Sequence, residues 1–243
     1  MIDYNKECKN EHREEFDLFD GLLSIAYFLF YMIILFLFGL LIFKTDIFTR
    51  FNYFENRNLN RFIFYIPISL ITILPAIVIA FLRRQGLASI GIKKNNMLKS
   101  ILLGILFAIP LILPTIFIGI SKGYDFANIE DIIWEFLYYL LCIGFVEELV
   151  FRGFIQTRIR GLIKNKKLSV VIVGLMFGFL HIPFQMLKAN MSILQFIQQD
   201  IVHLITTVIL HIYFVYIYER DDNIIAPTIT HTLINFISHI FIS

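Results

Sequence analysis

The stretch Gly144-Phe145-Val146-Glu147-Glu148-Leu149-Val150-Phe151-Arg152-Gly153 sets two adjacent carboxylates, and an arginine one helical turn later, inside an otherwise apolar segment. Within a bilayer an ionised carboxylate is costly unless a partner neutralises it, so an intramembrane ionisable cluster marks a functional site and sends the search outward for partners. What the cluster means depends on the solvent around it.

Composition identifies that solvent. Of 243 residues, 58% are hydrophobic and only 16% are charged, with 27 Phe. Mean hydropathy is +0.76. Soluble domains carry roughly 25% charged residues. Apolar runs recur at Leu22–Phe43, Phe62–Leu82, Ile101–Ile120, Ile132–Val146, Leu168–Leu187, Ile193–Tyr218 and Ile224–Ile242. Most reach or approach the roughly 20 residues that a helix needs to cross the hydrocarbon core. The expected fold is all-α: a polytopic transmembrane helical bundle of about seven to eight spans in the lipid bilayer.

The seams between runs are short: Lys44–Arg61, Arg83–Lys99, Ser121–Asn128, Arg152–Lys167, Lys188–Ser192 and Glu219–Asn223. With a cytoplasmic N-terminus, 15 of the 21 basic residues fall inside. The positive-inside rule favours that orientation, in a multi-pass protein of the cell membrane. Lys44–Arg61, with four basic residues outside, is the exception. The first 20 residues carry seven acidic groups, unlike the basic start of a cleaved signal peptide. They read as an acidic tail (1–20), followed by N-terminal spans (21–125) and a core (126–243), all one membrane domain. Net charge is +2, and the basic residues follow topology without forming a nucleic-acid stripe. Cys8 and Cys142 are too few and too far apart for a disulfide framework or a cysteine metal site. No internal repeat or pair of broken helices suggests a carrier.

Other polar residues within the runs are Phe177-Gly-Phe-Leu-His181, His231-Thr-Leu-Ile-Asn235, and a stripe of Asp200, His203, Thr207 and His211. His231 and Asn235 share a helix face, as do Glu148 and Arg152, which can pair and neutralise one another. Glu147 points about 100° away from Glu148. A carboxylate, two imidazoles and a carboxamide converging from three helices suit peptide-bond hydrolysis. A carboxylate held by an imidazole takes a proton from water, while an imidazole and an amide donate to the oxyanion. Alternatively, Glu147, His181 and His231 hold zinc and leave one position for water. Spacing leaves both open. The stripe reads as bundle-facing, and His239 and His12 as outside the site.

At these residues the chain resembles the CPBP (CAAX protease and bacteriocin-processing, Abi) family of intramembrane proteases. The family pattern is Glu-Glu-x-x-x-Arg, then Phe-x-x-x-His, then His-x-x-x-Asn on successive parts of the bundle. Here these are Glu147-Glu148-Leu-Val-Phe-Arg152, Phe177-Gly-Phe-Leu-His181 and His231-Thr-Leu-Ile-Asn235, in order, within 130–243. Leu87–Ile92 is similar to the short stretch often found ahead of this core. The resemblance implies that the motifs lie on the C-terminal four spans, with 126–243 as the catalytic core. It implies that Glu147 and His181 activate water, that His231 and Asn235 stabilise the oxyanion, and that Glu148 and Arg152 brace the site. The family's members are described both as zinc metalloproteases and as metal-free glutamate enzymes. The implied substrate is a peptide or small membrane protein, cut near the membrane face in bacteriocin self-immunity, signalling-peptide processing or CAAX-type C-terminal processing. A non-hydrolytic immunity or scaffold protein that binds a peptide or partner is the alternative.

Overall fold

The computed structural model describes residues 16–51, 53–94 and 96–242. Cys8, His12 and most of the acidic tail lie outside them. The all-α membrane bundle expected from composition is what forms. Five helices are long and apolar enough to cross a membrane: α1 (Leu18–Phe43), α3 (Arg57–Leu82), α4 (Met97–Ser121), α6 (Lys166–Ala189) and α7 (Ile193–Asp221). A short α2 (Ile47–Arg50) follows α1, and α8 (Ile225–Phe236) ends in a 3₁₀ turn, Ile237–Ile240. The only strands among the described residues, Asp125–Phe126 and Phe241–Ile242, pair antiparallel and tie the C-terminus to the loop after α4.

Residues 129–161 form one winding helix, α5, of changing pitch. It runs α over Ile129–Leu137, π over Tyr138–Gly144, α over Phe145–Glu148, π over Leu149–Ile155, α over Gln156–Arg158 and 3₁₀ over Ile159–Gly161. π turns are rare and concentrate at functional sites. Here two of them flank the single α turn that carries Glu147 and Glu148.

The seam expected to begin at Arg152 is corrected by this helix, which continues nine residues further, to Gly161. Arg152 and Arg158 are fully buried rather than in a basic loop. The physical reason is local pairing: Arg152 meets Glu148, and Arg158 donates to Gln85 Oε1 at 2.7 Å and Ser89 Oγ at 2.8 Å.

Chain ends of successive helices are stapled at both faces, which fixes the up-and-down order. At one face Arg83 meets Asp17 (2.7 Å) and Asp20 (2.9 Å), joining α3 to the start of α1, where Asp17 and Asp20 form a capping box. Glu219 at the end of α7 receives both Arg160 (3.1 Å) and Lys166 (2.7 Å). At the opposite face Lys44 donates to Asn190 (2.7 Å), and Asn56 to Asp131 (3.1 Å). Pro67 and Pro75 in α3, and Pro110 and Pro114 in α4, sit inside the helices. Bundle neighbours re-satisfy such backbone breaks in membranes.

The short 3₁₀ turn Leu87–Ile90 packs against α5, where a side chain at Gly153 would collide with the Ile90 backbone carbonyl. Because that neighbour is backbone, it cannot swing aside. Gly153→Ala is expected to cost about 1–3 kcal/mol, the usual penalty of overpacking, and thermal unfolding in detergent micelles reads it as a lowered midpoint. An unchanged midpoint would show that the turn does not press on α5.

Candidate active site

The α turn Phe145–Glu148 sends its two carboxylates to different neighbours. Glu148 is fully buried, and its Oε1 faces Arg152 Nη1 at 3.2 Å on one side and His231 Nδ1 at 2.7 Å on the other. A carboxylate only accepts, so Nδ1 carries the proton and donates to Glu148. That leaves His231 Nε2 turned toward Glu147, whose Oε2 lies 3.8 Å away. Glu147 keeps 14% of its side chain exposed, yet Oε2 itself is buried with no hydrogen-bond partner in the protein.

Arg152 is enclosed by rings: its guanidinium carbon is 4.4 Å from the Phe177 ring centroid and 4.8 Å from that of Phe214. Phe214 also stacks on His231, centroids 4.8 Å apart and planes 20° from parallel. The aromatic faces supply the cation–π attraction that a desolvated guanidinium needs. The 3.2 Å contact to Glu148 is an approach of opposite charges, since Arg152 Nη1 makes no well-aligned hydrogen bond there.

Phe177 joins two motifs. Its ring packs on Arg152, and its carbonyl accepts from His181 Nδ1 at 2.8 Å, one helical turn on. A carbonyl only accepts, so His181 also carries its proton on Nδ1 and presents Nε2 outward. The four-residue spacing of Phe177 and His181 thus has a direct backbone cause.

Glu147, His181, His231 and Asn235 all line one cavity of about 1300 Å³. Glu148 and Arg152 lie behind it, buried. All six residues singled out in the sequence are therefore brought to one place. Asp200, His203 and Thr207 line the same cavity, with the His203 ring 5.9 Å from that of His181. Asp200 is also where α7 departs from helical angles, at φ −109° and ψ 16°. His211, the last member of that stripe, turns away from the cavity: its Nε2 pairs with Gln156 Oε1 at 3.1 Å in the packed interior.

Several contributors were not legible in the sequence. Phe214 is one of 27 Phe, and nothing in its spacing separated it from lipid-facing rings. His239, read from the sequence as outside the site, lines the cavity and pairs with Tyr139 Oη (2.9 Å) and Glu135 (3.2 Å). Glu135 is in turn held by both its oxygens to Arg61 Nη1, at 2.8 and 3.0 Å.

The zinc ligand set raised from the sequence finds little support in this geometry. The Nδ1–H groups donate to Glu148 and Phe177, which leaves each Nε2 free to ligate; the obstacle is spacing, because among the described residues no three His, Cys, Asp or Glu side chains are grouped to hold a metal ion. The side chains as placed do not fit zinc, and no step below runs through one.

Residues 129–237 match a family model described as Rce1-like: Type II CAAX prenyl endopeptidase Rce1-like. Over this segment the chain is similar to the CPBP family that its motifs resemble. The match begins at the first residue of α5 and ends just beyond α8, so it contains all six residues of the cluster. That similarity supports endopeptidase activity in a multi-pass membrane protein. No curated protein and no solved structure matches the chain significantly. Helices α1, α3 and α4 lie outside the CPBP segment, yet Tyr31, Phe38, Arg61 and Ser69 from the first two help to wall its cavity.

Removing one partner of a buried ion pair leaves an uncompensated charge, at a cost of about 3–5 kcal/mol. Arg152→Met is accordingly expected to fold poorly, with low yield and an early thermal transition in detergent. The double change Arg152→Met with Glu148→Gln removes both charges and should recover much of the loss. Wild-type melting of the single variant would show that the pair does not hold the site.

Proposed function

We propose that the chain is an intramembrane endopeptidase that cuts a peptide or small membrane-protein substrate near the membrane face, with Glu147 as general base and without a metal. The observation that carries this reading is the buried Glu147 Oε2, which has no hydrogen-bond partner in the protein, on a residue that lines one cavity with His181 and His231. A carboxylate kept there without a protein partner is expensive unless water or substrate completes it.

In the proposed reaction a water donates hydrogen bonds to Glu147 and to His181 Nε2. As its oxygen attacks the scissile carbonyl carbon, Glu147 takes one proton. The carbonyl oxygen becomes the oxyanion and accepts from the Asn235 side-chain amide. It also accepts from His231 Nε2–H when that ring holds its second proton, with Glu148 accepting the Nδ1–H. The C–N bond then breaks, and the proton held by Glu147 passes to the leaving amine. Arg152 takes no proton: it holds Glu148 in place, so that His231 keeps its orientation.

Placement in the cell membrane with a cytoplasmic N-terminus, and a role in bacteriocin immunity, peptide maturation or CAAX-type processing, belong to the same proposal. They rest on the basic-residue bias and on the CPBP family.

Membrane preparations incubated with candidate peptides, such as signalling-peptide precursors, test the reading. Glu147→Gln and His181→Ala should each lower cleavage by about 10²–10⁴-fold, the range of a lost acid–base group, with expression and melting unchanged. Asn235→Leu should lose about 10²–10³-fold, as for a missing oxyanion donor. A zinc chelator should leave the wild-type rate unaltered. Full cellular function in Glu147→Gln would overturn the catalytic assignment and favour a protein that only binds.

A further inference from the structure

Behind the cavity, unpaired polar atoms gather around one guanidinium. Arg152 Nε, Nη1 and Nη2, Glu148 Oε2 and His211 Nδ1 are all buried without a hydrogen-bond partner in the protein. The three residues are fully buried. Arg152 and His211 pack on the same ring: the guanidinium carbon lies 4.4 Å, and the imidazole centroid 5.9 Å, from the Phe177 centroid. Phe214, which also faces Arg152, follows His211 by three residues on α7 and so shares its helix face. Arg152 is near enough for its charge to act on the His211 ring. Native interiors leave few buried polar groups unpaired, and each one left calls for a partner.

The contacts on the far side of His211 fix which of its nitrogens is bare. Ser169 Oγ donates to the Lys166 carbonyl at 2.8 Å, so it accepts from Gln156 Nε2 at 3.3 Å. That orients the carboxamide, and Gln156 Oε1 accepts from His211 Nε2 at 3.1 Å. His211 is therefore the opposite tautomer to His181 and His231: its proton sits on Nε2, and Nδ1 is an acceptor.

We propose that Arg152, Glu148 and His211 hold one buried water molecule, and that His211 and Gln156 are positioning residues that act on the site through it. The water accepts from an Arg152 N–H and donates to His211 Nδ1 and Glu148 Oε2, about three hydrogen bonds being usual for an internal water. The same groups select water over an ion: the carboxylate and the bare nitrogen repel an anion, and the guanidinium repels a cation. The positioning role rests on the proposed endopeptidase reading; the water site does not. Through the water, the brace that runs from His231 on α8 to Glu148 and Arg152 on α5 continues to His211 on α7, Gln156 on α5 and Ser169 on α6. The guanidinium, and with it the His231 ring, then keeps one orientation.

Two measurements on the full chain test the water without turnover. A crystal structure fine enough to show ordered water should place one peak within about 3 Å of the Arg152 guanidinium, His211 Nδ1 and Glu148 Oε2. Proton–nitrogen spectra of isotope-labelled histidine in detergent micelles should show His211 protonated at Nε2, with Nδ1 shifted as a hydrogen-bonded acceptor; His211→Asn assigns the signal by removing it. In the double variant Arg152→Met with Glu148→Gln, that Nδ1 signal should move toward the value of an unbonded nitrogen. Activity then tests positioning. His211→Leu should lower kcat about 10–100-fold with KM unchanged, the range for a lost outer-shell partner. His211→Asn, of similar size, puts an acceptor oxygen where Nδ1 lay and should regain most of kcat. A direct Arg152–His211 contact in place of the water, a proton on Nδ1, or a signal unmoved in the double variant overturns the water site. Equal, measurable kcat in the Leu and Asn variants overturns the positioning role. The expected spectra in a chain that cleaves nothing would keep the water site and sink the endopeptidase reading.

Discussion

A single carboxylate oxygen, Glu148 Oε1, is shared between a buried guanidinium and a buried imidazole, and the core of the bundle is arranged around that sharing. Without water to solvate them, Arg152 and Glu148 are tolerable only together. Their neutralisation lets α5 continue as helix where a basic loop would otherwise begin. The same oxygen fixes which nitrogen of His231 carries its proton, and so which nitrogen meets the cavity. One interaction thereby couples the continuity of a helix to the tautomer of a residue proposed to act on substrate.

Aromatic rings complete what the charges begin. Phe177 and Phe214 enclose Arg152 from two sides, and each also touches a histidine of the cluster, Phe177 through its carbonyl to His181 and Phe214 by stacking on His231. The rings do the work that second-shell carboxylates or waters do in soluble sites, orienting a ligand-like side chain by its partner. In a bilayer, where unpaired polar groups are penalised, a ring that offers a π-face to a cation and an edge or face to an imidazole is an economical support.

The helices and the six clustered residues could be read from the chain because both depend on local signals. A long apolar run has one low-energy form in lipid, and spacings of four place Glu148 by Arg152 and His231 by Asn235 on one face whatever the tertiary fold. What escaped the sequence depends on distant partners. The depth of Arg152 follows from rings on α6 and α7, and the placement of His239 in the cavity from Glu135 and Tyr139 on another helix. The π stretches escaped for a different reason: wider helical turns use the same residue types as ordinary ones, so composition carries no mark of them.

Those stretches put α5 in conflict with itself. Each π turn holds one residue more than an α turn needs, so losing any one residue from Tyr138–Gly144 or Leu149–Ile155 would let the backbone relax to better hydrogen bonding. The tightened turn would absorb the lost residue and leave the flanking segments near their present faces, so the change would fall on side chains inside the stretch. Lost between Glu148 and Arg152, it would shorten the spacing of the ion pair from four residues to three and re-aim the guanidinium relative to Phe177 and Phe214. The length of this helix is therefore under opposing pressures, local comfort favouring a shorter chain and the shared carboxylate holding the extra residues in place.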